Sequence, residues 1–390
     1  MDNNKIFLIA GEPSGDALGA KLIKALREES VTPIEFSGIG GPLMEAEGFE
    51  SLIDMNELCV MGIWEVLSQL SRLHKLIHGV VEEIEKFDPA AVVTIDLPDF
   101  NFHVAARLKK RKKTNARIVH YVAPTVWAWR PGRAKKVSRF LDGMICLFPF
   151  EPEHFTKHNL ESVFIGHPIS QNNPEEADGI ALREKYEIPQ DAHVLGLFFG
   201  SRPRELKTLG TELTDAAYLL KERYPDLHLI VPTLAALQFD VMQILEDLDI
   251  PAYVISDPNV KWDAIAACDV ALSVSGTMGL ELAYAGLPHV IAYKMHPVSW
   301  MLVRILVKVK YAHLANILLN KDEAIIPEFL QGNFNALKIA KGLIKLFESE
   351  KLQKIQTNHA ETIREMLGKG QLRSPSSKAA EFVLQIMTKL

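Results

Sequence analysis

Two carboxylates, Asp96 and Asp99, follow a short apolar run and are the residues best placed for acid–base chemistry. The run Ala91–Ile95 is apolar and rich in β-branched residues, which predicts a buried parallel strand. Pro98 ends strand pairing, and an apolar pattern at helical spacing begins at Asn101. Ligands of open α/β sheets bind at the carboxyl ends of the strands, so Asp96 is predicted to meet a reacting hydroxyl group.

Both acids also have a purely structural interpretation. Asp99 or Asn101 fits the N-cap of the following helix, and for Asp99 this interpretation is favoured. A cap role is weaker for Asp96, because a helix that starts near Asn101 begins too far downstream. A catalytic or substrate-orienting role is therefore predicted for Asp96.

Composition is typical of an ordinary globular protein with length for two or three domains. The 390 residues are 48% hydrophobic and 24% charged, with a formal net charge of −6, which argues against a general nucleic-acid binder. Three widely spaced cysteines (Cys59, Cys146 and Cys268) suit neither a disulfide framework nor a zinc site and favour a reducing cytoplasm. Without a secretion signal or a membrane-spanning apolar run, membrane contact is expected only at the surface.

Glycine-rich turns follow predicted strands in both halves of the chain. Near the start, residues 11–16 join the strand Lys5–Ala10 to a helix, whose N-terminus favours an anion or polar hydroxyl groups. The glycine spacing there matches neither a Walker loop nor a dinucleotide fingerprint. Alone, this turn is a weak signal.

In the second half, two such turns combine glycine with a hydroxyl group, and one of them adds an arginine. Their residues are Gly200, Ser201, Arg202, Ser275, Gly276 and Thr277. Helix N-termini and a guanidinium group together suit a diphosphate. Glu281, about one helical turn further on, suits the paired hydroxyls of a ribose, with a surface glutamate as the alternative.

A loop with two tryptophans follows the predicted strand at 118–122. Trp127, Trp129 and the adjacent Arg130 would offer aromatic faces to a sugar or acyl chain and a cation to a phosphate. Core packing of the tryptophans is the rival, and the ligand interpretation is slightly favoured. His167, just before a polar stretch at 169–190, fits either a ligand contact or a hinge.

An apolar stripe at helical spacing spans residues 61–84, with bases rather than acids through its middle. A helix buried against the sheet and a helix at a lipid surface explain the stripe equally well. The residues predicted to face lipid or acceptor here are Met61, Ile63, Trp64, Leu70 and Leu73. A second basic and apolar helix is predicted at 298–310.

These motifs, in order, resemble the lipid-A-disaccharide synthase family. The resemblance rests on Gly-Glu-Pro-Ser-Gly-Asp at 11–16, Val-Met-Gly-Ile at 60–63, Ile-Asp-Leu-Pro-Asp-Phe-Asn at 95–101 and His-Tyr-Val-Ala-Pro-Thr-Val-Trp-Ala-Trp-Arg at 120–130. Phe-Ile-Gly-His-Pro at 164–168, Gly-Ser-Arg at 200–202 and Ser-Gly-Thr at 275–277 continue it. Pro13 and Thr125 stand where Thr and Ser are also expected in relatives. The similarity covers nearly the whole chain.

The resemblance implies an α/β protein of GT-B architecture, with two Rossmann-like domains facing a cleft and C-terminal helices crossing back to the first domain. The expected divisions are an acceptor and membrane-facing domain at 1–168, a linker at 169–190, a UDP-sugar donor domain at 191–345, and helices at 346–390. Those last helices would pack on the first domain or on a partner subunit.

The resemblance also implies a reaction of UDP-2,3-diacylglucosamine with 2,3-diacylglucosamine 1-phosphate, which inverts the donor linkage and needs neither cofactor nor metal. Asp96 would be the catalytic base, with Glu12 and Asp99 orienting the acceptor. Asn316 joins the donor-binding residues of the two turns and Glu281. The remaining acceptor or lipid contacts would be Ser14, Asp16, Asn101, Trp127, Trp129 and Arg130. Expected partners are the inner-membrane surface of a Gram-negative bacterium, met from the cytoplasmic side, and a second copy in a homodimer.

Two rivals stay open at this point. Another GT-B enzyme acting on a UDP-N-acetylhexosamine, such as a 2-epimerase or a lipid-linked N-acetylglucosaminyl transferase, would have a similar second half. The tryptophan loop and the Asp96 stretch argue against it. A non-catalytic two-lobed binding protein would need no carboxylate at the site, and release of UDP would exclude it.

Overall fold

A computed structural model describes residues 4–58, 70–307 and 309–389. The chain divides into two compact units of similar size. Unit 1 comprises residues up to Pro168 together with Leu367–Leu390, and unit 2 comprises Ile169–Met366. The chain therefore returns to unit 1 at its C-terminal end.

Unit 1 is built on a fully parallel six-stranded sheet in the order β2-β1-β3-β4-β5-β6. Its strands are β1 (Lys5–Ala10), β2 (Glu35–Ile39), β3 (Ala91–Ile95), β4 (Arg117–Tyr121), β5 (Gly143–Cys146) and β6 (Glu161–Phe164). Its helices are α1 (Pro13–Glu29), α2 (Pro42–Ala46), α3 (Leu70–Phe87), α4 (Pro98–Arg111), α5 (Gly132–Val137), α6 (Pro152–Thr156) and α16 (Pro375–Thr388), with a short 3-10 helix at Met55–Leu58.

The C-terminal helix α16 packs against α1 and against strands β3, β4 and β5. The packing is tight at Gly143, where an added Cβ would lie 2.9 Å from the Phe382 ring. A larger residue at that position would push the helix off the sheet. The last helix is therefore an integral layer of unit 1.

Unit 2 repeats the plan with a parallel sheet in the order β12-β11-β10-β7-β8-β9. Its strands are β7 (Val194–Phe198), β8 (His228–Pro232), β9 (Ala252–Ile255), β10 (Val270–Val274), β11 (His289–Tyr293) and β12 (Glu328–Leu330). Its helices are α7 (Gly179–Lys185), α8 (Pro203–Lys221), α9 (Gln238–Leu245), α10 (Lys261–Ala266), α11 (Thr277–Ala285), α12 (Pro297–Leu306), α13 (Leu314–Leu319), α14 (Ala336–Glu348) and α15 (Glu350–Met366). Short 3-10 helices lie at Pro168–Gln171, Pro174–Glu176, Ala235–Leu237, Pro258–Val260 and Gln331–Asn333.

Buried apolar strands alternating with amphipathic helices produce this architecture, because parallel strands need helices on both faces. The predicted α/β fold of two Rossmann-like sheets is confirmed. Within the described residues, none of the helices has the length and apolarity that crossing a bilayer requires.

One local prediction was wrong. The helix after Asp96 begins at Pro98 rather than near Asn101, and its N-cap is Leu97, so neither Asp99 nor Asn101 caps it. Proline is well suited to the first helical turn because its missing N–H would have no partner there. The three-residue strand β12 was also missed, since it is too short to show a periodic pattern.

Candidate active site

Asp96 lies directly beyond the carboxyl end of β3, where it is half-buried. Its backbone N–H donates to the Tyr121 carbonyl, 2.9 Å away. Asp96 and Leu97 both have left-handed backbones, with φ of 51° and 43°. Such conformations are uncommon for residues other than glycine and concentrate at functional sites. Burial raises the pKa of the Asp96 carboxyl, against the opposing hydrogen bond of the Leu97 amide, which suits a group that must accept a proton.

The Asn101 side chain stabilises this turn through hydrogen bonds to its backbone. Its side-chain amide donates to the Asp96 carbonyl at 2.7 Å and to the Ile95 carbonyl at 3.3 Å. The residue is fully buried. The structure thus places Asn101 behind Asp96, where it holds the strained turn, rather than on an acceptor-facing surface.

Glu12 lies close to this turn, because β1 and β3 are neighbouring strands whose register pairs Ala10 with Ile95. An added Cβ on Gly11 would lie 2.6 Å from the Leu97 side chain, so the two strand-end turns touch. Glu12 is half-buried and Ser14, in the first turn of α1, is exposed. The structure therefore brings Glu12 and Asp96 to the same edge of the sheet.

Asp99 points outward, with 90% of its side chain exposed, and pairs with Arg133 at 2.7 Å. The Arg133 guanidinium is only 19% exposed and lies over the Phe102 ring, 5.0 Å from its centroid. The pair places one carboxylate and one cation on the rim beyond Asp96, where either could contact a polar substrate.

Asp16 has a structural explanation. It is 2% exposed, and its carboxylate accepts hydrogen bonds from the backbone amides of Gly41, Leu43 and Met44 at 2.9–3.0 Å. These are the free donors at the start of α2. The carboxylate therefore anchors the turn after β2.

Trp127 and Trp129 are both half-buried. The Trp127 indole donates to Glu151 at 3.0 Å, and its ring meets the edge of Phe150 at 5.2 Å. The Trp129 indole donates to the Thr125 hydroxyl, and the exposed Arg130 lies over its ring at 4.2 Å. Part of each indole ring is therefore buried by packing. The Trp129–Arg130 pair faces outward from the loop.

The predicted lipid-facing stripe is only partly described. Met61, Ile63 and Trp64 lie outside the described residues, as does the side chain of Leu70. Leu73 is half-buried and packs against the core of unit 1. The stripe continues into the buried residues Ile77, Val80, Val81 and Ile84, so its described part is core.

Unit 2 contains a cavity of about 580 Å³ at the carboxyl ends of its central strands. Seven of the eight residues predicted to bind the donor line it: Gly200, Ser201, Arg202, Ser275, Gly276, Thr277 and Glu281. The glycines at 200 and 276 have φ of 93° and 151°, backbone conformations that side chains disfavour. The two turns therefore need glycine to bring their backbones around the cavity.

Two helix N-termini open at this cavity, those of α8 and α11. Their unpaired N–H groups and helix dipoles favour an anion. Arg202, the N-cap residue of α8, is 73% exposed and has Glu205 as its ion-pair partner at 3.5 Å. Its guanidinium is thus free to turn toward a diphosphate at little cost.

Asn316 is the predicted donor residue that does not line the cavity. It is 1% exposed, and its amide oxygen accepts from the Ile325 and Ile326 amides while its nitrogen donates to Ile326 and Glu328. Glu328 in turn accepts from the amides of Ala312 and His313, the segment that the Ser275 hydroxyl contacts. Asn316 thus acts from behind the turn at 275–277.

The sequence reasoning missed the opposite wall of the cavity. Residues 232–235 and 255–258, together with Lys261, line it. Both segments follow strands that were predicted at 227–231 and 252–255, so their position at strand ends was the available signal. Neither segment contains a glycine-rich turn, so the sequence pattern did not mark either one as part of a binding site.

Comparisons with known proteins agree with this geometry. The family model described as lipid-A-disaccharide synthetase matches residues 6–382. The chain is 41% identical over 384 residues to a lipid-A-disaccharide synthase of Rhodospirillum centenum, covering 98% of this chain and 95% of that protein. It is 38% identical over 387 residues to the one of Escherichia fergusonii, covering 98% and 97%.

Solved structures share the fold at low sequence identity. UDP-GlcNAc 2-epimerase of Neisseria meningitidis, bound to UDP-GlcNAc, has a TM-score of 0.65 at 12% identity and covers 98% of this chain and 100% of that one. MurG of Acinetobacter baumannii has a TM-score of 0.55 at 14% identity, covering 98% and 99%. With a family model matched along nearly its whole length and relatives at this identity, the chain belongs to the lipid-A-disaccharide synthase family of glycosyltransferases.

Proposed function

We propose that the protein transfers the sugar of UDP-2,3-diacylglucosamine to the 6-hydroxyl of 2,3-diacylglucosamine 1-phosphate. The products are UDP and the β-1,6-linked lipid A disaccharide 1-phosphate, the reaction that membership of the family implies. The observation that carries the residue assignments is the unit 2 cavity, where two glycine turns, two helix N-termini, Arg202 and Glu281 meet.

The cavity would hold the UDP part of the donor. N–H groups of the turn at 275–277 and the Arg202 guanidinium would take the charge that develops on the departing diphosphate. Glu281 would accept hydrogen bonds from the ribose hydroxyls. The structural relative bound to UDP-GlcNAc has the same fold, which supports a UDP-sugar in this chain.

Asp96 would act as the general base. Its carboxylate would take the proton of the acceptor 6-hydroxyl as that oxygen bonds to C1 of the donor and the C1–O bond to UDP breaks. The α-linked donor thereby gives a β-linked product in one displacement. Glu12, on the neighbouring turn, and the Asp99–Arg133 pair would orient the acceptor.

We also propose that the enzyme works at the cytoplasmic face of the inner membrane, because both substrates carry acyl chains. Candidate contacts are the outward pair Trp129–Arg130 and helix α12, on which Met301 is 59% exposed and Arg304 is also exposed. Aromatic and basic residues together suit a lipid surface. A homodimer stays a prediction, which sedimentation velocity in detergent would test.

The decisive assay mixes donor and acceptor in detergent with EDTA and follows disaccharide formation for wild type, Asp96→Asn and the control Asp191→Asn. Asp191 is exposed, so its variant should retain full activity. Loss of a general base should lower kcat about 10²- to 10⁴-fold in Asp96→Asn without changing the circular dichroism spectrum.

Each other outcome has a distinct meaning. Full activity in Asp96→Asn would move the base elsewhere, with Glu12 the next candidate. Product that disappears with EDTA would contradict a metal-free reaction. If folded wild type forms no disaccharide but converts UDP-N-acetylglucosamine supplied in a separate reaction, the rival UDP-sugar reactions are favoured.

A further inference from the structure

Arg133 carries a guanidinium group for which the fold supplies few partners. Its side chain is 19% exposed, and its one hydrogen-bond acceptor among the described residues is the Asp99 carboxylate, 2.7 Å away. A guanidinium has five N–H donors, so most of them have no acceptor within the part of the chain that the structure describes. A cation in this state suits an anion with several oxygen atoms.

Contacts between the loops of two neighbouring strands place this guanidinium near Asp96. Asp99 and Phe102 belong to α4, which follows β3, whereas Arg133 belongs to α5, which follows β4. The guanidinium carbon lies 5.0 Å from the Phe102 ring centroid, which restricts the arginine further. Asp99 comes three residues after Asp96, a length of chain that spans at most about 11 Å. Opposite ends of one sugar phosphate can therefore contact Asp96 and Arg133.

Arg130 adds a second cation next to Arg133. It is exposed, and its guanidinium carbon lies 4.2 Å from the Trp129 ring centroid. The Arg130 carbonyl accepts a hydrogen bond from the Arg133 amide at 2.8 Å, so one tight turn joins the two arginines. With Asp99 as the one acid, the group has a net positive charge. A phosphate monoester carries a charge of about −1.5 to −2 at pH 7 and complements it.

Asp99 has the properties of a counter-ion that a ligand can replace. Its side chain is 90% exposed, so the carboxylate returns to water at little cost when it leaves Arg133. A phosphate has more charge and more oxygen atoms than a carboxylate, and it accepts two parallel N–H bonds from one guanidinium. Exchange of the carboxylate for a phosphate is therefore favourable.

We propose that Arg133, assisted by Arg130, is a subsite for the phosphate monoester of the acceptor sugar, and that Asp99 pairs with Arg133 only while this phosphate is absent. The inference rests on the proposed function and adds the contact by which unit 1 selects a phosphorylated acceptor. The phosphate fixes one end of the sugar ring, and the 6-hydroxyl is thereby held at Asp96.

An anionic phospholipid of the membrane offers Arg133 the same chemistry. The two sources of phosphate predict different results. An arginine that binds the acceptor phosphate affects only acceptors that carry this group. An arginine that binds membrane phospholipid affects vesicle binding, and it affects all lipid acceptors equally.

The kinetic test compares two acceptors in nonionic detergent. One is 2,3-diacylglucosamine 1-phosphate, and the other is the methyl α-glycoside of 2,3-diacylglucosamine, which keeps the ring and the acyl chains. Wild type should prefer the phosphate about 10- to 100-fold in kcat/KM, the range for hydrogen bonds to a charged group. Arg133→Met should reduce this preference to within about threefold, by lowering kcat/KM for the phosphate alone. Arg133→Gln replaces it if the methionine variant fails to fold.

Two further variants serve as comparisons. Arg133→Lys keeps the charge without the paired donors and should retain part of the preference. Arg139→Met should keep the full preference, because Arg139 is an exposed base just after the end of α5. An unchanged preference in folded Arg133→Met overturns the proposal. An equal loss on both acceptors, together with weaker binding to phosphatidylglycerol vesicles, also overturns it and indicates membrane phosphate as the ligand.

Asp99→Asn tests the counter-ion. Without the competing carboxylate, KM for the phosphorylated acceptor should fall about two- to fivefold, the range for an exposed ion pair, and KM for the methyl glycoside should stay the same. A rise in KM for both acceptors overturns this role and indicates that Asp99 binds a sugar hydroxyl.

Failure of the proposed function would give a different result, because wild type would then form disaccharide from neither acceptor. The subsite is in that case tested by ligand-observed NMR with glucosamine 1-phosphate and glucosamine. Wild type should bind the phosphate in preference to glucosamine, and Arg133→Met should not. Equal binding of the phosphate by both proteins overturns the subsite.

Discussion

His289 and His313 face each other through their Nε2 atoms, 2.8 Å apart, and both are almost completely buried. The His313 Nδ1 accepts from the Ala315 amide, so its proton must lie on Nε2. The His289 Nδ1 donates to the Leu287 carbonyl, so its Nε2 is free to accept. The pair is therefore a directed chain of two neutral rings, and either ring would break it by taking up a proton.

The pair lies against α11, the helix that follows the turn at 275–277. An added Cβ on Gly279 would come within 2.8 Å of His313 Nε2, so α11 rests on this ring. Protonation of the pair would thus disturb the helix whose N-terminus opens at the cavity.

Stability should fall as the solution is acidified from pH 7 to pH 5. Burial lowers the pKa of His289 to about 4. It also lowers the pKa of His313 well below its usual range, and the neighbouring His289 lowers it further. Below about pH 6.5 the unfolded chain therefore binds more protons than the native protein. Each histidine that stays neutral in the fold should lower the free energy of unfolding by about 2 kcal/mol by pH 5.

Urea unfolding at the two pH values measures this loss. His313→Gln should show a smaller drop than wild type, although the buried His120 and the half-buried His167, with pKa values lowered to about 3 and 4, still contribute. The exposed control His103→Gln should keep the full drop. An undiminished drop in His313→Gln would contradict the assignment.

The fluorescence of Trp127 should titrate near neutral pH. Burial raises the pKa of Glu151 to about 7, against hydrogen bonds from the Phe148 and Leu147 amides and the Trp127 indole. Ionisation strengthens the hydrogen bond to the indole, so emission should change with a midpoint near pH 7.

The same raised pKa affects stability. The protonated Glu151 contributes fully to stability at pH values below the usual pKa of a glutamate, and this contribution is lost as the pH rises through about 7. Glu151→Gln should abolish the transition, and the exposed control Glu153→Gln should keep it.

Asp16→Ala should destabilise unit 1 by about 3 kcal/mol, because three backbone amides lose a charged acceptor. Asp16→Asn retains one acceptor oxygen, so its free energy of unfolding should fall between those of wild type and Asp16→Ala. For comparison, Asp178 accepts a single amide at the start of α7, and Asp178→Ala should cost about 1 kcal/mol. Equal losses in urea unfolding for the two alanine variants would be inconsistent with this role.

Asn316→Ala should destabilise unit 2 by roughly 2–4 kcal/mol, since the amide makes four hydrogen bonds inside the fold. UDP affinity of the folded fraction should change less than threefold, about 0.6 kcal/mol. Asn333→Ala, at an exposed amide, should leave unfolding unchanged. A large loss of UDP affinity at wild-type stability would place Asn316 on the ligand.

Substitution of Ile77 by Ser should cost about 3 kcal/mol or more, because the side chain is 5% exposed within the core of unit 1. Replacing Leu70, Leu73 and Ile77 together with Ser should therefore unfold the protein rather than only release it from vesicles. The matched control is His78→Ser on the exposed face of the same helix. Cooperative unfolding at the wild-type midpoint in the triple variant would show that the stripe is not core.

The sequence by itself determined the two sheets, their parallel strands and the turns that follow them. Apolar strand runs and glycine turns are local features, so the strand before Asp96 and the turns at 200–202 and 275–277 could be predicted from neighbouring residues. Element ends were less certain. The proline at position 98 starts a helix that its apolar pattern alone placed three residues later.

Only the tertiary structure separated the polar residues that face a cavity from those that hold the fold. Asp16 and Asn101 lie in the same kind of strand-end motif as Asp96, and Asn316 was expected at the donor. Yet the hydrogen bonds of all three side chains go to groups inside the fold that are 5 to 28 positions away. Lys261 lies in no motif, and it reaches Glu281 because helices α10 and α11 pack against each other in the fold. Partners of this kind are set by how the strands are ordered in the sheet, which spacing along the chain does not encode.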